Sequence, residues 1–233
     1  PVMRSIRRNL LLVLMAAATA IVGLSAVVTY RIARQEVDTL FDYLDGGALD
    51  ETTLARNVAD FDRLSIRQAA LQTAMADPAA EVMGQAASLP LALGPVGSLG
   101  MMHPRGEVLA FRAAHAAGIG ACLSSFSICS IEDVAPEVEP RDAFQLYMLK
   151  DPGRTAELVD RAAAAGFRSL VLTVDSTHPG MRDRDLRNGY RSTTRLDLRL
   201  AVDGLSHPRW LARSWPSLRR GLGNFRHWPD VGQ

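Results

Sequence analysis

Short apolar runs alternate with helix-like segments through the middle of the chain. The runs cover residues 89–95, 121–127, 143–148 and 169–175, and each is apolar along most of its length rather than at every second residue. Strands of this kind are typical of parallel sheets that helices cover on both faces. The alternation therefore predicts an α/β fold, either an open doubly wound sheet or part of a (β/α)8 barrel.

The segments between the runs carry signals that begin and end helices. Pro152 stands in the first turn of one such segment and Gly166 follows its last turn, which is the usual placement of both residues. Ser130 precedes Asp133 at the spacing of a capping box. The predicted helices cover residues 31–44, 51–63, 105–118, 130–135 and 151–166.

Charge and cysteine content exclude several classes of protein. Lys and Arg number 26 against 25 Asp and Glu, a net charge of +1, whereas a nucleic-acid-binding domain usually has a strongly basic face. Cys122 and Cys129 are too few for a disulfide framework, and no Cys/His pattern has zinc spacing, so we predict no metal site. A Gly-x-Gly-x-x-Gly dinucleotide fingerprint does not follow the first run.

Residues 10–30 form an uncharged segment of 21 residues, long enough to cross a hydrocarbon core of ~30 Å. Its apolar length exceeds the roughly 7–15 residues of a signal-peptide core, which favours a retained membrane anchor over a cleaved signal peptide. Arginines flank both ends, so the segment does not determine which way it would cross.

Each apolar run ends in small or polar residues. Gly94, Ser124, Gln145 and Thr173 occupy these positions on the four successive runs. The carboxyl ends of parallel strands meet at one edge of a sheet, and in a barrel that edge is the active face. A buried amide such as that of Gln145 also requires hydrogen-bond partners. The sequence therefore places a candidate site where these four residues converge.

Five blocks of the sequence together resemble the FMN-dependent 2-hydroxy-acid dehydrogenase/oxidase family. They read FDYLDGGALDETTLARN, LPLALGPVGSLGMMHPRGE, LSSFSICSIEDVA, FQLYMLKD and LVLTVDSTHPGMRDRDLRNGY, and they occur in family order and spacing from about residue 41 to about residue 225. The resemblance implies a (β/α)8 barrel that holds FMN at its carboxyl-terminal mouth. It also implies oxidation of a lactate-like L-2-hydroxy acid to the 2-oxo acid.

The same resemblance implies roles for individual residues. Small residues in the loop after the first strand would let the backbone approach the flat flavin ring, and an arginine fork fits a substrate carboxylate. The implied FMN-binding residues are Pro95, Val96, Gly97, Ser124, Gln145 and Thr173. The implied substrate-binding residues are Tyr43, Tyr147 and Arg182.

The sequence departs from the family in lacking its catalytic motif. The family's catalytic histidine lies in a Ser-Asn-His-Gly-Gly-Arg-Gln stretch, with a substrate-binding arginine nearby, and both are expected beyond residue 233. We therefore predict no catalytic residue here and little or no activity for this chain alone, since a positioned base typically contributes about 10²–10⁴ in rate. Three explanations for the missing motif are ranked in this order: an incomplete gene read, a truncated or decayed gene, and one piece of a split enzyme.

The resemblance also gives a division of the chain and an alternative function. We predict a membrane anchor at 1–30, a helical segment at 31–88, the first half of the FMN barrel at 89–190 and a variable region at 191–233. Residues 1–43 resemble the first membrane helix of a sensor histidine kinase, so the alternative is a non-catalytic, membrane-anchored fragment or fusion that binds no flavin.

The implied partners follow from the family as well. Quinone or oxygen would accept the electrons, the full-length form is compatible with a homo-oligomer, and no nucleic acid is involved. Arginines interleave with tryptophans in residues 191–225, a pattern that suits a membrane surface, with a loop packed on the barrel as the alternative. These expectations place the protein at a bacterial inner membrane, with a single N-terminal span and the catalytic part on the cytoplasmic face.

Overall fold

The computed structural model describes residues 38–65, 67, 77–174, 180–188, 207–218 and 221–228. The described residues fall into two compact units. The first contains residues 38–67, 181–188 and 207, and the second contains residues 77–174, 180, 208–218 and 221–228. The span predicted at residues 10–30 lies outside the described ranges. Within those ranges, none of the helices has both the length and the hydropathy that crossing a bilayer requires.

The first unit is helical. It contains α1 (Asp38–Asp45), α2 (Thr52–Phe61) and, from later in the chain, α7 (Asp183–Asn188). The helix predicted at 51–63 is confirmed, and its first helical residue is Thr52. Glu51 occupies the cap position in the left-handed region at φ 60°, without a capping side-chain bond. Asp50 Oδ1 instead accepts from the Thr52 backbone N–H at 3.2 Å.

The second unit is built on a parallel sheet, which confirms the α/β prediction. Its strands are β3 (Ala92–Leu93), β4 (Gly120–Ser124), β5 (Ala143–Tyr147) and β6 (Ser169–Thr173), and each is paired in parallel with the next. The connecting helices are α3 (Leu99–Met102), α4 (Gly106–Ala116), α5 (Ile131–Val134) with a 3-10 turn (Ala135–Glu137), and α6 (Pro152–Ala164). Sequential strand order without a reversal favours a barrel over a doubly wound sheet, whose order reverses at a switch point.

The predicted helix caps are present. Ser130 Oγ accepts from the Asp133 N–H, and the Asp133 carboxylate accepts from the Ser130 N–H, so both halves of the capping box form. Asp151 caps α6 by accepting from the Gly153 N–H at 2.8 Å. Pro152 follows in the first turn, where its missing N–H costs no helix bond.

One hydrophobic core lies between the sheet and its helices. Leu123 on β4 and Phe144 and Leu146 on β5 point into it. They meet side chains of three of the connecting helices: Val108, Phe111 and Ala114 of α4, Ile131 and Val134 of α5, and Leu158 and Ala162 of α6. Because alternate residues of a strand face opposite sides, Ser124 and Gln145 lie on the other face of the same strands.

The prediction that helices cover the sheet on both faces is confirmed for β4 and is wrong for the outer strands. Every residue of β4 is buried, and so are the first four residues of β5. On β6, in contrast, Leu170 and Leu172 are 49% and 48% exposed. The reason is position, since β6 is an edge strand of the described sheet and pairs only with β5. The composition of a strand shows that it is apolar, but it does not show how many neighbouring elements cover the strand.

Residues 80–87 form an antiparallel hairpin within the segment predicted to be helical. Strands β1 (Ala80–Val82) and β2 (Gln85–Ala87) are joined by Met83 at φ 52° and Gly84 at φ 74°. Two consecutive positive φ values are what a two-residue hairpin turn needs. Methionine is unusual at such a position, so the sequence carries no Asn-Gly or Asp-Gly signal for this turn.

The described part of the variable region contains α8 (Pro208–Leu218), which packs against α3. Trp210 Nε1 donates to the Met101 carbonyl oxygen at 3.3 Å, and Ser214 is fully buried. The contact of Trp210 therefore agrees with the alternative prediction for this region, a loop that packs on the barrel. Docking of this region on a membrane stays a prediction.

Candidate active site

Three polar side chains on adjacent strands form a continuous hydrogen-bonded chain. Ser124 Oγ donates to Gln145 Oε1 at 3.1 Å, and Gln145 Nε2 donates to Thr173 Oγ1 at 2.7 Å. Ser124 lies directly beside Gln145 in the sheet register, and Thr173 lies beside Tyr147, two residues further along β5. All three therefore lie on one face at the carboxyl end of the sheet, as their positions at the ends of the apolar runs predicted.

The orientation of the Gln145 amide is determined by its neighbours. The backbone N–H of Ser125 lies 3.3 Å from Oε1, and a backbone N–H can only donate. The atom it meets must therefore be the oxygen, which places the NH2 group next to Thr173. Since Oε1 accepts two bonds and Nε2 donates one, the Thr173 hydroxyl acts as an acceptor in this contact.

This arrangement leaves a defined set of unused hydrogen-bonding groups among the described residues. Gln145 retains its second Nε2 proton, and Thr173 retains its hydroxyl proton. Ser124 Oγ has given its proton to Gln145 and accepts from the Phe126 N–H at 3.2 Å, so one lone pair is left. Gln145 is only 2% exposed, so its remaining proton faces a largely dehydrated space. The site thus offers two donors and one acceptor in a row.

The loop after β3 presents an open surface next to this chain. Pro95 and Val96 are exposed, and a Cβ on Gly94 would meet nothing within 4 Å. A Cβ on Gly97 would make an ordinary 3.7 Å contact with Phe126. Packing within the protein therefore does not require glycine at either position. A cavity of ≈ 220 Å³ is lined in part by Gly94, Val96 and Ser124, so the loop and the end of β4 border one space.

Phe126 connects the parts of this site and was not singled out by the sequence analysis. Its backbone oxygen accepts from the Ser98 N–H at 2.9 Å, which ties the loop after β3 to the loop after β4. Its ring packs edge-on against Tyr147, with centroids 5.3 Å apart. An aromatic residue after a strand is more often a core residue, so its position in the sequence gave no signal for this role.

Tyr43 and Arg182 lie together in the first unit. The Arg182 guanidinium lies over the Tyr43 ring at 4.8 Å, and Nη2 donates to the carbonyl oxygens of Tyr43 and, at 2.9 Å, of Gly46. Nε is 2.7 Å from Asp185 Oδ2, an ion pair by distance that lacks hydrogen-bond alignment. Burial raises the pKa of Asp185, and Arg182 opposes that rise.

The contacts of Arg182 bear on its predicted role without testing it. Among the described residues, the polar contacts of its guanidinium are with Tyr43, Gly46 and Asp185, all in the first unit. Carboxylate binding by Tyr43 and Arg182 therefore stays a prediction.

The two cysteines are buried free thiols. Burial, with the Asp142 carboxylate as a second cause, raises the pKa of Cys122 to about 12. Burial and then Glu107 raise the pKa of Cys129 to about 12. Both thiols are protonated at neutral pH, and because the thiolate is the nucleophile, neither supplies one.

A model of the family described as FMN-dependent dehydrogenase matches residues 33–227. The chain belongs to that family. The chain is 46% identical over 191 residues to an L-lactate dehydrogenase of Xanthomonas oryzae pv. oryzae (strain PXO99A), covering 80% of this chain and 49% of the relative. It is 44% identical over 190 residues to an L-lactate dehydrogenase of Ectopseudomonas mendocina (strain ymp), covering 80% and 50%. The chain thus spans about half the length of these curated relatives.

The solved structures agree with the family and with the fold. The chain is similar to a monotopic membrane protein, (S)-mandelate dehydrogenase, with a TM-score of 0.72 and 33% identity, over 84% of this chain and 53% of the other. A mandelate oxidase is similar with a TM-score of 0.65 and 33% identity, over 74% and 51%. The family resemblance read from the five sequence blocks is confirmed, and so is an α/β fold like that of the barrel flavoenzymes.

FMN is the cofactor of this family, and the described donor set fits it. The pyrimidine edge of the flavin ring presents an N–H between two carbonyl oxygens. Such an edge needs donors for its oxygens and an acceptor for its N–H. Gln145 and Thr173 supply the two unused donors and Ser124 supplies the unused acceptor, which matches the edge in the number and kind of groups; along the sheet their order is acceptor, donor, donor.

Proposed function

We propose that this chain contributes the FMN-binding part of an enzyme that oxidises a lactate-like L-2-hydroxy acid to the 2-oxo acid. The observation that carries the proposal is the Ser124–Gln145–Thr173 hydrogen-bonded chain, which leaves two donors and one acceptor unused at the carboxyl end of the sheet. The curated relatives named L-lactate dehydrogenase support the lactate-like substrate.

The FMN-side residues bind the ring and influence how it accepts charge. Bound FMN supplies the two-electron acceptor for the hydroxy acid. Gln145 and Thr173 would donate to carbonyl oxygens at the pyrimidine edge, and fixed donors stabilise negative charge that develops on those oxygens. Ser124 would contact the ring from the neighbouring strand end. The open surface at Pro95, Val96 and Gly97 permits close approach of a flat ring, since none of the described side chains fills the space above Gly94.

We propose that the substrate-side residues are Tyr43, Tyr147 and Arg182. Phe126 restrains the ring of Tyr147 by edge-on packing, which holds its hydroxyl in a limited range of positions. A guanidinium fork suits a substrate carboxylate, and the Arg182 fork is anchored through Nη2 on the carbonyl oxygens of Tyr43 and Gly46. Tyr43, whose ring lies under the guanidinium, keeps the arginine side chain in one orientation.

The proposed acceptor and location rest on the same family. We propose that quinone or oxygen reoxidises the flavin and that the enzyme acts at the cytoplasmic face of a bacterial inner membrane as a homo-oligomer. The (S)-mandelate dehydrogenase that this chain resembles is described as a monotopic membrane protein, which supports membrane association.

Titration with FMN tests the cofactor part of the proposal. FMN fluorescence should be quenched saturably by the purified chain, and the isolated complex should be yellow. Absence of saturable quenching would favour the alternative of a non-catalytic fragment or fusion without flavin.

Anaerobic addition of L-lactate to the loaded chain tests the substrate part. Lactate should perturb the visible flavin spectrum without bleaching it, because no histidine of this sequence lies in a Ser-Asn-His-Gly-Gly-Arg-Gln stretch. An unperturbed spectrum would remove lactate as a ligand, and bleaching would contradict the predicted inactivity.

A further inference from the structure

The loop after β4 is held in shape by a segment about a hundred residues away in sequence. Residues 125–130 make up this loop, and a 3-10 turn at Gly223–Phe225 inserts against it. Gly223 N donates to the Ser127 carbonyl oxygen at 3.0 Å. A Cβ on Gly223 would lie 2.5 Å from Ser130 N and 2.6 Å from Ile128 O, so only glycine allows this approach.

Asn224 makes the central contacts of the inserted turn. It is 1% exposed, and its amide uses both ends. Oδ1 accepts from the Ile131 N–H at 2.8 Å. Nδ2 donates to Ser125 O at 3.0 Å and to Ser127 Oγ at 3.1 Å, with a longer contact to Ser124 O at 3.4 Å. The Ile131 N–H can only donate, so the oxygen of the amide must face α5 and the nitrogen must face the loop.

Only part of this pattern is explained by capping α5. The Ile131 contact satisfies an N–H in the first turn of a helix that Ser130 and Asp133 already cap. The Nδ2 contacts go the other way, to the carbonyl oxygens and hydroxyl of the segment that follows β4. A side chain that served the helix alone would need the oxygen and no donor.

Phe225 extends the support to the aromatic side of the site. It is 4% exposed, and its ring lies 5.2 Å from that of Phe126, which in turn lies 5.3 Å from Tyr147. Phe126 also donates its N–H to Ser124 Oγ and accepts from the Ser98 N–H. The inserted turn therefore contacts the one residue that links the proposed FMN contacts to the proposed substrate contact.

We propose that Asn224 is a positioning residue for the FMN site. Through Nδ2 it fixes the backbone of residues 124–127, so that Ser124 keeps its remaining lone pair directed to the ring and Phe126 holds the neighbouring loop and Tyr147. This inference rests on the proposed FMN function for its role, although the restraint on the loop exists without FMN. Asn224 contacts neither cofactor nor substrate in this account and acts only through the loop.

The test separates the two ends of the amide. Asn224→Asp keeps an oxygen for Ile131 and removes the donor, whereas Ser130→Ala weakens the cap of the same helix and leaves the Asn224 contacts in place. Asn224→Asp should raise the Kd for FMN about tenfold, as expected for loss of two hydrogen bonds near a binding site, and should change the visible circular dichroism of bound FMN. Ser130→Ala should leave both unchanged.

Hydrogen–deuterium exchange without FMN supplies an independent readout. Asn224→Asp should speed exchange in residues 124–128, and Ser130→Ala should speed it only in α5. If Asn224→Asp does not fold, Ser127→Ala, which removes one acceptor of Nδ2, should show smaller changes in the same direction. Wild-type exchange rates in residues 124–128 for Asn224→Asp would overturn the inference. Wild-type protein that does not bind FMN would overturn the proposed function, while exchange would still decide whether Asn224 restrains the loop.

Discussion

Replacing Thr173 by valine removes one proposed donor to FMN with little change in side-chain shape. Thr173 Oγ1 accepts from Gln145 Nε2 at 2.7 Å, and its own proton has no acceptor among the described residues. The change therefore removes one existing bond within the protein and one proposed bond to the ring. The two losses should appear in different measurements.

The expected magnitudes follow from these contacts. Losing the bond to Gln145 costs about 1 kcal/mol, and leaving that buried N–H without a partner raises the cost, so the free energy of unfolding should fall by about 1–2 kcal/mol. Losing one neutral bond to FMN costs about 1 kcal/mol, which corresponds to an increase in Kd of about fivefold.

Thr155→Val is the matched control. Thr155 is 7% exposed, accepts from the Leu149 N–H at 3.1 Å and donates to Asp151 O at 3.2 Å. It lies in the first turns of α6, outside the proposed site, so the same chemical change should destabilise the protein without altering FMN binding. Urea unfolding without FMN and fluorescence titration with FMN measure the two quantities on both variants.

The reasoning would be refuted if the two variants bound FMN equally well. If both variants kept the wild-type Kd for FMN, the Thr173 hydroxyl would make no contact with the ring. Equal weakening in both variants would mean that FMN affinity follows overall stability rather than this hydroxyl. Only a selective loss in Thr173→Val supports the donor role.

Two further predictions concern stability. Bidentate hydrogen bonding to Arg161 lowers the pKa of Glu132 from 4.5 to about 2. Because the pKa of Glu132 is lower in the folded state, this ion pair stabilises the protein above pH 4.5. That stabilisation is lost as the pH falls towards 2. Because Glu132 is 59% exposed, Glu132→Gln should lower the free energy of unfolding by no more than about 1 kcal/mol at neutral pH. The variant should also lose less stability than wild type as the pH falls from 4.5 to 2. Urea unfolding at a series of pH values measures both effects. Asp142→Ala should cost about 3–5 kcal/mol, because it removes a fully buried carboxylate that pairs with His115 at 2.9 Å and accepts two backbone N–H groups.

Controls for these two predictions come from the same unit. Glu81→Gln changes an exposed glutamate on β1 that is not part of the Glu132–Arg161 ion pair, and it should leave the loss of stability at acid pH unaltered. If Glu132→Gln also lost stability at acid pH as wild type does, the Glu132–Arg161 ion pair would contribute nothing to stability. Asp151→Ala removes an exposed helix cap and should cost about 1 kcal/mol. A loss of the same size in Asp142→Ala would mean that the backbone groups it leaves find other partners.

Local sequence signals predicted most of the elements of the second unit. The apolar runs at 121–127, 143–148 and 169–175 contain β4, β5 and β6, and the proline and capping-box signals stand where α6 and α5 begin. The first run contains only a two-residue strand, because Gly94 and Pro95 end it early. The hairpin at residues 80–87 escaped prediction because the first of its two positive-φ positions is Met83 rather than asparagine, aspartate or glycine.

The site could be predicted as a set of residues but not as a set of bonds. The ends of the runs and the family resemblance identified Ser124, Gln145 and Thr173, and the sheet register brings them together. Which end of the Gln145 amide meets Thr173 depends on the Ser125 N–H next to it. Phe126 and Asn224 gave no signal, because their roles arise from contacts with residues that the sequence does not place nearby.

The sequence by itself determined the order and type of the elements of the parallel sheet, since helix caps and apolar runs act over a few neighbouring residues. It also determined the family, through five blocks at fixed spacing. Only the tertiary structure decided that β6 is exposed, that Gly223–Phe225 inserts beneath the loop after β4, and which hydrogen-bonding groups are left for a ligand. The physical reason is that burial and hydrogen-bond pairing depend on which distant residues become neighbours, and no local preference specifies that.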